Sequence, residues 1–358
     1  MANFKKTRLM KFLSLTFALT LLITTFAGCG GNKEDPTTTE PTTEITTEPP
    51  VVHRNPLTGK AGYSEELIGN RPVMVVVENH PQARPQWGLT SSDIVFEMVA
   101  EGGITRMIFM YADASLLPDK VGPVRSARHY FLDLSEGYDS IFVHFGQSTY
   151  AKTQLAEHNI DNINGNTSDG KYFARDRSRN VDSEHTAFTT KDNIVKAIND
   201  KTYRTTLNEG YEDAFKFNVD GDKVLDKGSC TNATVSFSGS YTYTFNYDKQ
   251  ENVYYSSLNG TEFMDSNGTQ QNFTNLIVLY TDISNISGDT KNRVNIDLSE
   301  GEGIYISNGS YCDITWKKGE STDMLKLYDT EGEELKLNIG RSYIAIVDNS
   351  RESVNTIS

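Results

Sequence analysis

Cysteine is scarce in this chain: three residues in 358, at positions 29, 230 and 312. There is no C-x-x-C pair, no H-E-x-x-H and no repeated Cys/His spacing, so the structural-zinc and zincin classes drop out and no metal is expected. Histidine is missing from the second half, since all six lie before residue 186. Titration near neutral pH therefore belongs to the first half. Positive charge is also short. The formal net charge is −14, and loss of the first 28 residues would remove Lys5, Lys6, Arg8 and Lys11 as well. Such a surface does not suit nucleic acid, nor a second, electrostatic attachment to anionic lipid. The G-x-S-x-G nucleophile elbow fails too: Gly146-Gln147-Ser148-Thr149-Tyr150 ends in Tyr150, which leaves Ser148 as a helix cap. No cofactor is expected.

What the N-terminus does contain is an export pattern. Lys5, Lys6, Arg8 and Lys11 precede an apolar run from Phe12 to Phe26, then Phe26-Ala27-Gly28-Cys29. The run is too short and wrongly flanked for an ordinary spanning helix. Residues 1–28 resemble a bacterial lipoprotein signal, although Phe26 stands where leucine is usual. The resemblance implies cleavage before Cys29, a lipid such as palmitate on Cys29, and a place on the extracytoplasmic face of the cell membrane. A plain secretory signal or an uncleaved anchor is the alternative. Residues 29–60 then form a tether. Up to Pro50 it is mostly threonine, glutamate and proline, with one isoleucine, and cannot fill a core.

Two regions with different patterns follow. Residues 61–210 alternate strand-like and helix-like periods: Val73–Val77, Asp93–Ala100, Ile104–Tyr111 and Ser140–Phe145 as strands, and Arg125–Glu136, Ala151–His158 and Thr189–Ile198 as helices. Residues 211–355 lose helical periodicity and become short strands with Asn259-Gly260, Asn267-Gly268, Asn308-Gly309 and Glu331-Gly332 at turn positions. The expected fold is an α+β (or α/β) N-terminal domain with a central sheet, followed by an all-β sandwich or barrel-like C-terminal domain. Cys230 and Cys312 are either a disulfide or two separate thiols, a choice that sequence distance leaves open.

The stretch from Arg71 to Tyr150 holds five arginines and three histidines among apolar runs. Ionisable groups in such a setting are costly to bury unless paired, so a site belongs here. If Gly102-Gly103 is a two-residue hairpin turn, Val99 faces Arg106, and Arg106 sits diagonally between Glu97 and Glu101. That arrangement is either a salt-bridge cluster or a pair of carboxylates poised for acid/base work. Pro123 marks a helix start that would put Arg125 and Arg128 in the first turn, where cations oppose the macrodipole and call for an anion. The anion is either an internal glutamate or an external phosphate or carboxylate. His144 lies near a strand end, and Arg175 and His185 flank a basic loop.

These residues carry a resemblance. Asn79-His80-Pro81, Ala83-Arg84-Pro85-Gln86, Glu101-Gly102-Gly103-Ile104-Thr105-Arg106 and Gly122-Pro123-Val124-Arg125-Ser126-Ala127-Arg128, together with His144, Arg175, His185 and Asp265, closely resemble the YerB-like bacterial lipoproteins. The resemblance implies two domains of unknown function behind a lipoprotein signal, and no established reaction. Three readings stay open. The first is an envelope binding or accessory protein holding an anionic, polar or cell-wall-derived ligand through Arg84, Arg106, Arg125, Arg128, Arg175 and His185. The second is an envelope hydrolase or transferase using Glu97 or Glu101 with His144. The third is a lipoprotein that meets an envelope protein partner through tyrosine-rich strands.

Overall fold

The structure, a computed structural model, describes residues 51–211 and 213–358. The signal, Cys29 and the tether up to Pro50 lie outside the described residues.

The first strand, β1 (Val73–Glu78), is buried at every position, as its unbroken apolar run requires of a strand covered on both faces. It is followed by β2 (Ile94–Val99), β3 (Thr105–Tyr111), α1 (His129–Gly137), β4 (Ile141–His144), α2 (Thr149–Glu157), β5 (Asn162–Asn164) and α3 (Lys191–Lys201). β1 lies between antiparallel β3 and parallel β4, and β5 continues the parallel run beside β4. The Ser148 hydroxyl accepts the Ala151 N–H and caps α2, while Thr190 caps α3 through the Asn193 N–H. Both contacts satisfy orphan N–H groups at a helix start, and the Ser148 cap is the one expected from the sequence.

The second half contributes β6 (Asn232–Ser238), β7 (Tyr241–Asp248), β8 (Val253–Leu258), β9 (Asn275–Thr281), β10 (Glu300–Ser307), β11 (Ser310–Lys317), β12 (Lys326–Tyr328) and β13 (Ser342–Asp348). Asn308 and Gly309 both adopt positive φ, 50° and 69°, and close the tight hairpin between β10 and β11. This is the primed turn that Asn-Gly favours.

The halves share one sheet. β2 pairs antiparallel with β3 on one side and, on the other, parallel with β13, from Ile94 opposite Ser342 to Met98 opposite Ile346. β13 continues parallel to β9, so the main sheet runs β12-β11-β10-β9-β13-β2-β3-β1-β4-β5. β6, β7 and β8 belong to a second, six-stranded sheet. The N-terminal region is thus mixed α/β around a central sheet, and the C-terminal region holds many antiparallel strands, with β9 and β13 paired in parallel.

Two apolar layers flank the main sheet. One joins Val75, Val95, Phe109, Leu276 and Tyr343 to Tyr243, Phe245 and Tyr254 of the second sheet and to Ile194 and Ile198 of α3. The other joins Met74, Phe96, Ile108 and Ile344 to Tyr130, Phe131 and Leu134 of α1, and to Trp316. Each fully buried side chain of this kind contributes about 1.5–3 kcal/mol.

Two expectations change. α1 starts at His129, not at Pro123. Residues Arg125–Ala127 are extended because the Arg125 and Ala127 N–H groups are taken by the carbonyls of Val76 and Gly146. The Gly102-Gly103 connection is not a two-residue hairpin. Glu101–Gly103 form a 3-10 turn with Gly102 at φ 68°, and Val99 faces Thr105 instead of Arg106.

Candidate functional site

That one-residue difference in register decides which face each charged group occupies, because side chains alternate along a strand. Arg106 lies opposite Met98, so it points to the α1 side of the sheet, while Glu97 points to the other side. The expected diagonal of Glu97, Arg106 and Glu101 therefore does not form.

Glu97 is fully buried, and among the described residues no cation pairs with its carboxylate. Its Oε1 accepts from Thr105 Oγ1 at 2.5 Å and Asn79 Nδ2 at 2.9 Å, and its Oε2 accepts from the Tyr343 hydroxyl at 2.9 Å. Burial raises its pKa to about 7 against these hydrogen bonds. Arg84 donates to Asn79, to its Oδ1 at 3.0 Å and its carbonyl at 2.6 Å, and lies over the Tyr241 and Phe263 rings.

On the α1 side, Glu101 receives Arg128 in a bidentate pair at 2.5 and 2.6 Å. Burial works against this carboxylate, but Arg128, then Arg106, outweigh it and lower its pKa. Arg106 is less well served. Its side chain is 12% exposed and its nearest carboxylate oxygen, on Glu101, is 3.7 Å away. Among the described residues its guanidinium makes one hydrogen bond, to the Ser126 carbonyl at 3.3 Å. Burial and the neighbouring Arg128 charge push its pKa down to about 10, with Arg125 adding to the effect.

Beyond Val75 and Val143, parallel β1 and β4 part, and Arg125–Ala127 fill the gap. The Arg125 N–H bonds Val76, and the Arg125 carbonyl accepts from Phe145. This lies at the carboxyl ends of parallel strands, where open α/β sheets collect ligands. Here Glu78, the last residue of β1, is buried and doubly used. Its Oε1 accepts Arg125 Nε and its Oε2 accepts His185 Nδ1, both at 2.9 Å. Arg125 Nη2 continues to Glu184 Oε2 at 3.1 Å, and His80 stacks on His185 with ring centroids 4.5 Å apart. Burial opposes the Arg125 charge, but Glu78 and then Glu184 hold its pKa above the usual value.

The remaining candidates are separate. Arg175 pairs with Asp169 at 3.3 Å, donates to the Ser183 carbonyl at 2.6 Å and lies over the Phe145 ring. His144 is buried with Nδ1 on the Gly146 carbonyl at 2.7 Å and Nε2 facing Asn162 at 3.1 Å, and burial lowers its pKa. It sits on the opposite face from Glu97 and three strands away in the sheet, roughly 14 Å at the usual strand spacing. Glu97 and His144 therefore do not form an acid/base pair. Cys230 and Cys312 are separate thiols. The tyrosines proposed as an interaction surface are largely core: Tyr241, Tyr243, Tyr254, Tyr280, Tyr305 and Tyr343 are all buried.

Three members of these networks were not among the candidate site residues. Glu78 had one signal, a lone acid closing an apolar strand. Asn79 stood in the Asn79-His80-Pro81 motif that carries the family resemblance, and Glu184 had no signal beyond its place beside His185, because its partner Arg125 comes from another element. Among the described residues, no three His, Cys, Asp or Glu side chains form a metal-holding group.

A buried glutamate holding an arginine and a histidine at a strand end, with two further arginines on the same face, sits on the residues that carry the family resemblance. The chain belongs to the DUF3048 family of proteins of unknown function: residues 57–204 match its N-terminal domain and residues 233–344 its C-terminal domain. A particular relative is YerB of Bacillus subtilis (strain 168), described by name as a candidate lipoprotein. It is 38% identical over 271 residues, covering 74% of this chain and 77% of YerB. The crystal structure of YerB protein from Bacillus subtilis matches with a TM-score of 0.74 at 33% identity, over 86% of this chain and 99% of that one.

Proposed function

We propose that this chain is a lipoprotein anchored through Cys29 at the extracytoplasmic face of the cell membrane, where its N-terminal region binds an anionic or polar ligand of the envelope. The export pattern and the lipoprotein name of its Bacillus relative support the anchoring. The observation that carries ligand binding is Arg106. It is a guanidinium 12% exposed, beside Arg125 and Arg128, with its nearest carboxylate oxygen at 3.7 Å. Guanidinium donors left without a close carboxylate, among neighbours of like charge, favour an arriving anion.

The test is a titration of residues 51–358 with inorganic phosphate, short dicarboxylates and muropeptides, followed by calorimetry and by amide NMR shifts. Binding that weakens at least tenfold in Arg106→Gln is the expected result. No response to any anion would remove the reading.

A further inference from the structure

The network around Glu78 contains one member that differs from the rest. Glu78, Arg125 and His185 are mutually held and mostly buried, with side-chain exposures of 5%, 20% and 5%. Glu184 is 57% exposed, yet its two oxygens span both partners: Oε2 is 3.1 Å from Arg125 Nη2 and Oε1 is 3.6 Å from His185 Nε2. It sits on a three-residue 3-10 turn, Ser183–His185, whose N-cap side chain makes no capping hydrogen bond. The turn is fixed independently, since Arg175 Nη1 and Thr186 Oγ1 both donate to the Ser183 carbonyl, each at 2.6 Å.

Glu78 thus spends both oxygens on the inner nitrogens, Arg125 Nε and His185 Nδ1. This fixes both side chains and aims their outer nitrogens, Arg125 Nη2 and His185 Nε2, toward the surface. Two fixed nitrogens that already face the two oxygens of the Glu184 carboxylate, at 3.1 and 3.6 Å, suit a carboxylate, with the imidazole acting as a donor when doubly protonated. The occupant is a carboxylate from the same chain, held by an exposed ion pair of the weak kind.

We propose that Arg125 and His185 form a binding subsite for a ligand carboxylate, which Glu184 fills until the ligand displaces it. This rests on the anion-binding reading above and narrows it to the carboxylate class. An internal occupant lowers apparent affinity by the fraction of time the subsite is open. Removing it tightens binding without adding any contact.

The experiment uses residues 51–358, which form a compact unit by themselves. Acetate and, in parallel, inorganic phosphate are titrated into wild type, Glu184→Gln and the double variant Glu184→Gln/Arg125→Lys, following the Arg125 Nε–H resonance and backbone amides. Glu184 is on the surface, so its variant keeps the fold, and Arg125→Lys keeps the charge that neutralises Glu78. The expected result is acetate binding about threefold tighter in Glu184→Gln, the factor for a subsite that a weak exposed pair occupies about two-thirds of the time, with the gain lost in the double variant. Equal acetate affinity in wild type and Glu184→Gln overturns the subsite. If both then bind phosphate through Arg106, the general anion reading survives alone. If neither binds any anion, both readings fail.

Discussion

The Tyr343 hydroxyl donates to the Glu97 carboxylate at 2.9 Å across 246 positions of chain. This joins a strand of the second half to a carboxyl buried in the first, inside a ladder the two halves share. Several expected outcomes depend on such long-range contacts.

Glu97 stands at about 7 in the fold against an ordinary 4.5. Since the folded value is the higher, the folded chain keeps a proton that the unfolded chain loses. The associated stability is fully present below about pH 4.5 and lost as pH rises through about 7. The shift corresponds to something on the order of 3 kcal/mol. Thermal unfolding from pH 5 to 8 should show wild type falling in Tm, with Glu97→Gln nearly flat. A variant that tracks the wild-type slope would assign the proton elsewhere.

Arg128→Ala leaves Glu101 with only Arg106, 3.7 Å away. Because the pair is largely buried and bidentate, the loss in urea unfolding should be about 3 kcal/mol. Arg128→Lys should recover only part of it, since an ammonium cannot reproduce the two parallel bonds. A loss of under about 1 kcal/mol for Arg128→Ala would mark the pair as an exposed one.

A fragment ending at residue 210 lacks β13, the partner of Ile94–Met98, and the tyrosines that hydrogen-bond near Glu97. The exposed edge would be long, apolar and unpaired. Such a fragment should aggregate or give a collapsed NMR spectrum, whereas residues 51–358 stay monodisperse. A well-dispersed spectrum from the fragment would show that the ladder is dispensable.

Burial pushes the Cys230 thiol up to about 11 and the Cys312 thiol up to about 12. Since the thiolate is the reactive form, both should resist an aromatic disulfide reagent in the native protein lacking Cys29. Denaturation should release two titratable thiols with no prior reduction. Recovery of none would establish a bridge.

Legibility followed the range of the interactions. Val73–Val77 announced a strand buried on both faces because that burial leaves no polar alternation. Asn308-Gly309 announced its hairpin because the required positive φ is a property of those two residues. Ser148 announced its cap for the same local reason. The charged cluster was legible as a region but not as a geometry. Arg125 reads as helical after Pro123 until a strand gap recruits its N–H. Nothing near Glu78 in sequence names His185 as its partner.

The sequence by itself determined the strand-rich second half, the tight turns and the family, because each rests on composition or on contacts within a few residues. The tertiary structure decided the sites. The five residues between Val99 and Thr105 set the register that puts Glu97 and Arg106 on opposite faces. The parting of β1 and β4 drew Arg125 toward Glu78. The pairing of β2 with β13 merged the two halves into one sheet. Strand pairing is selected by packing between segments far apart in the chain, and a change of one residue in register moves every side chain to the other face.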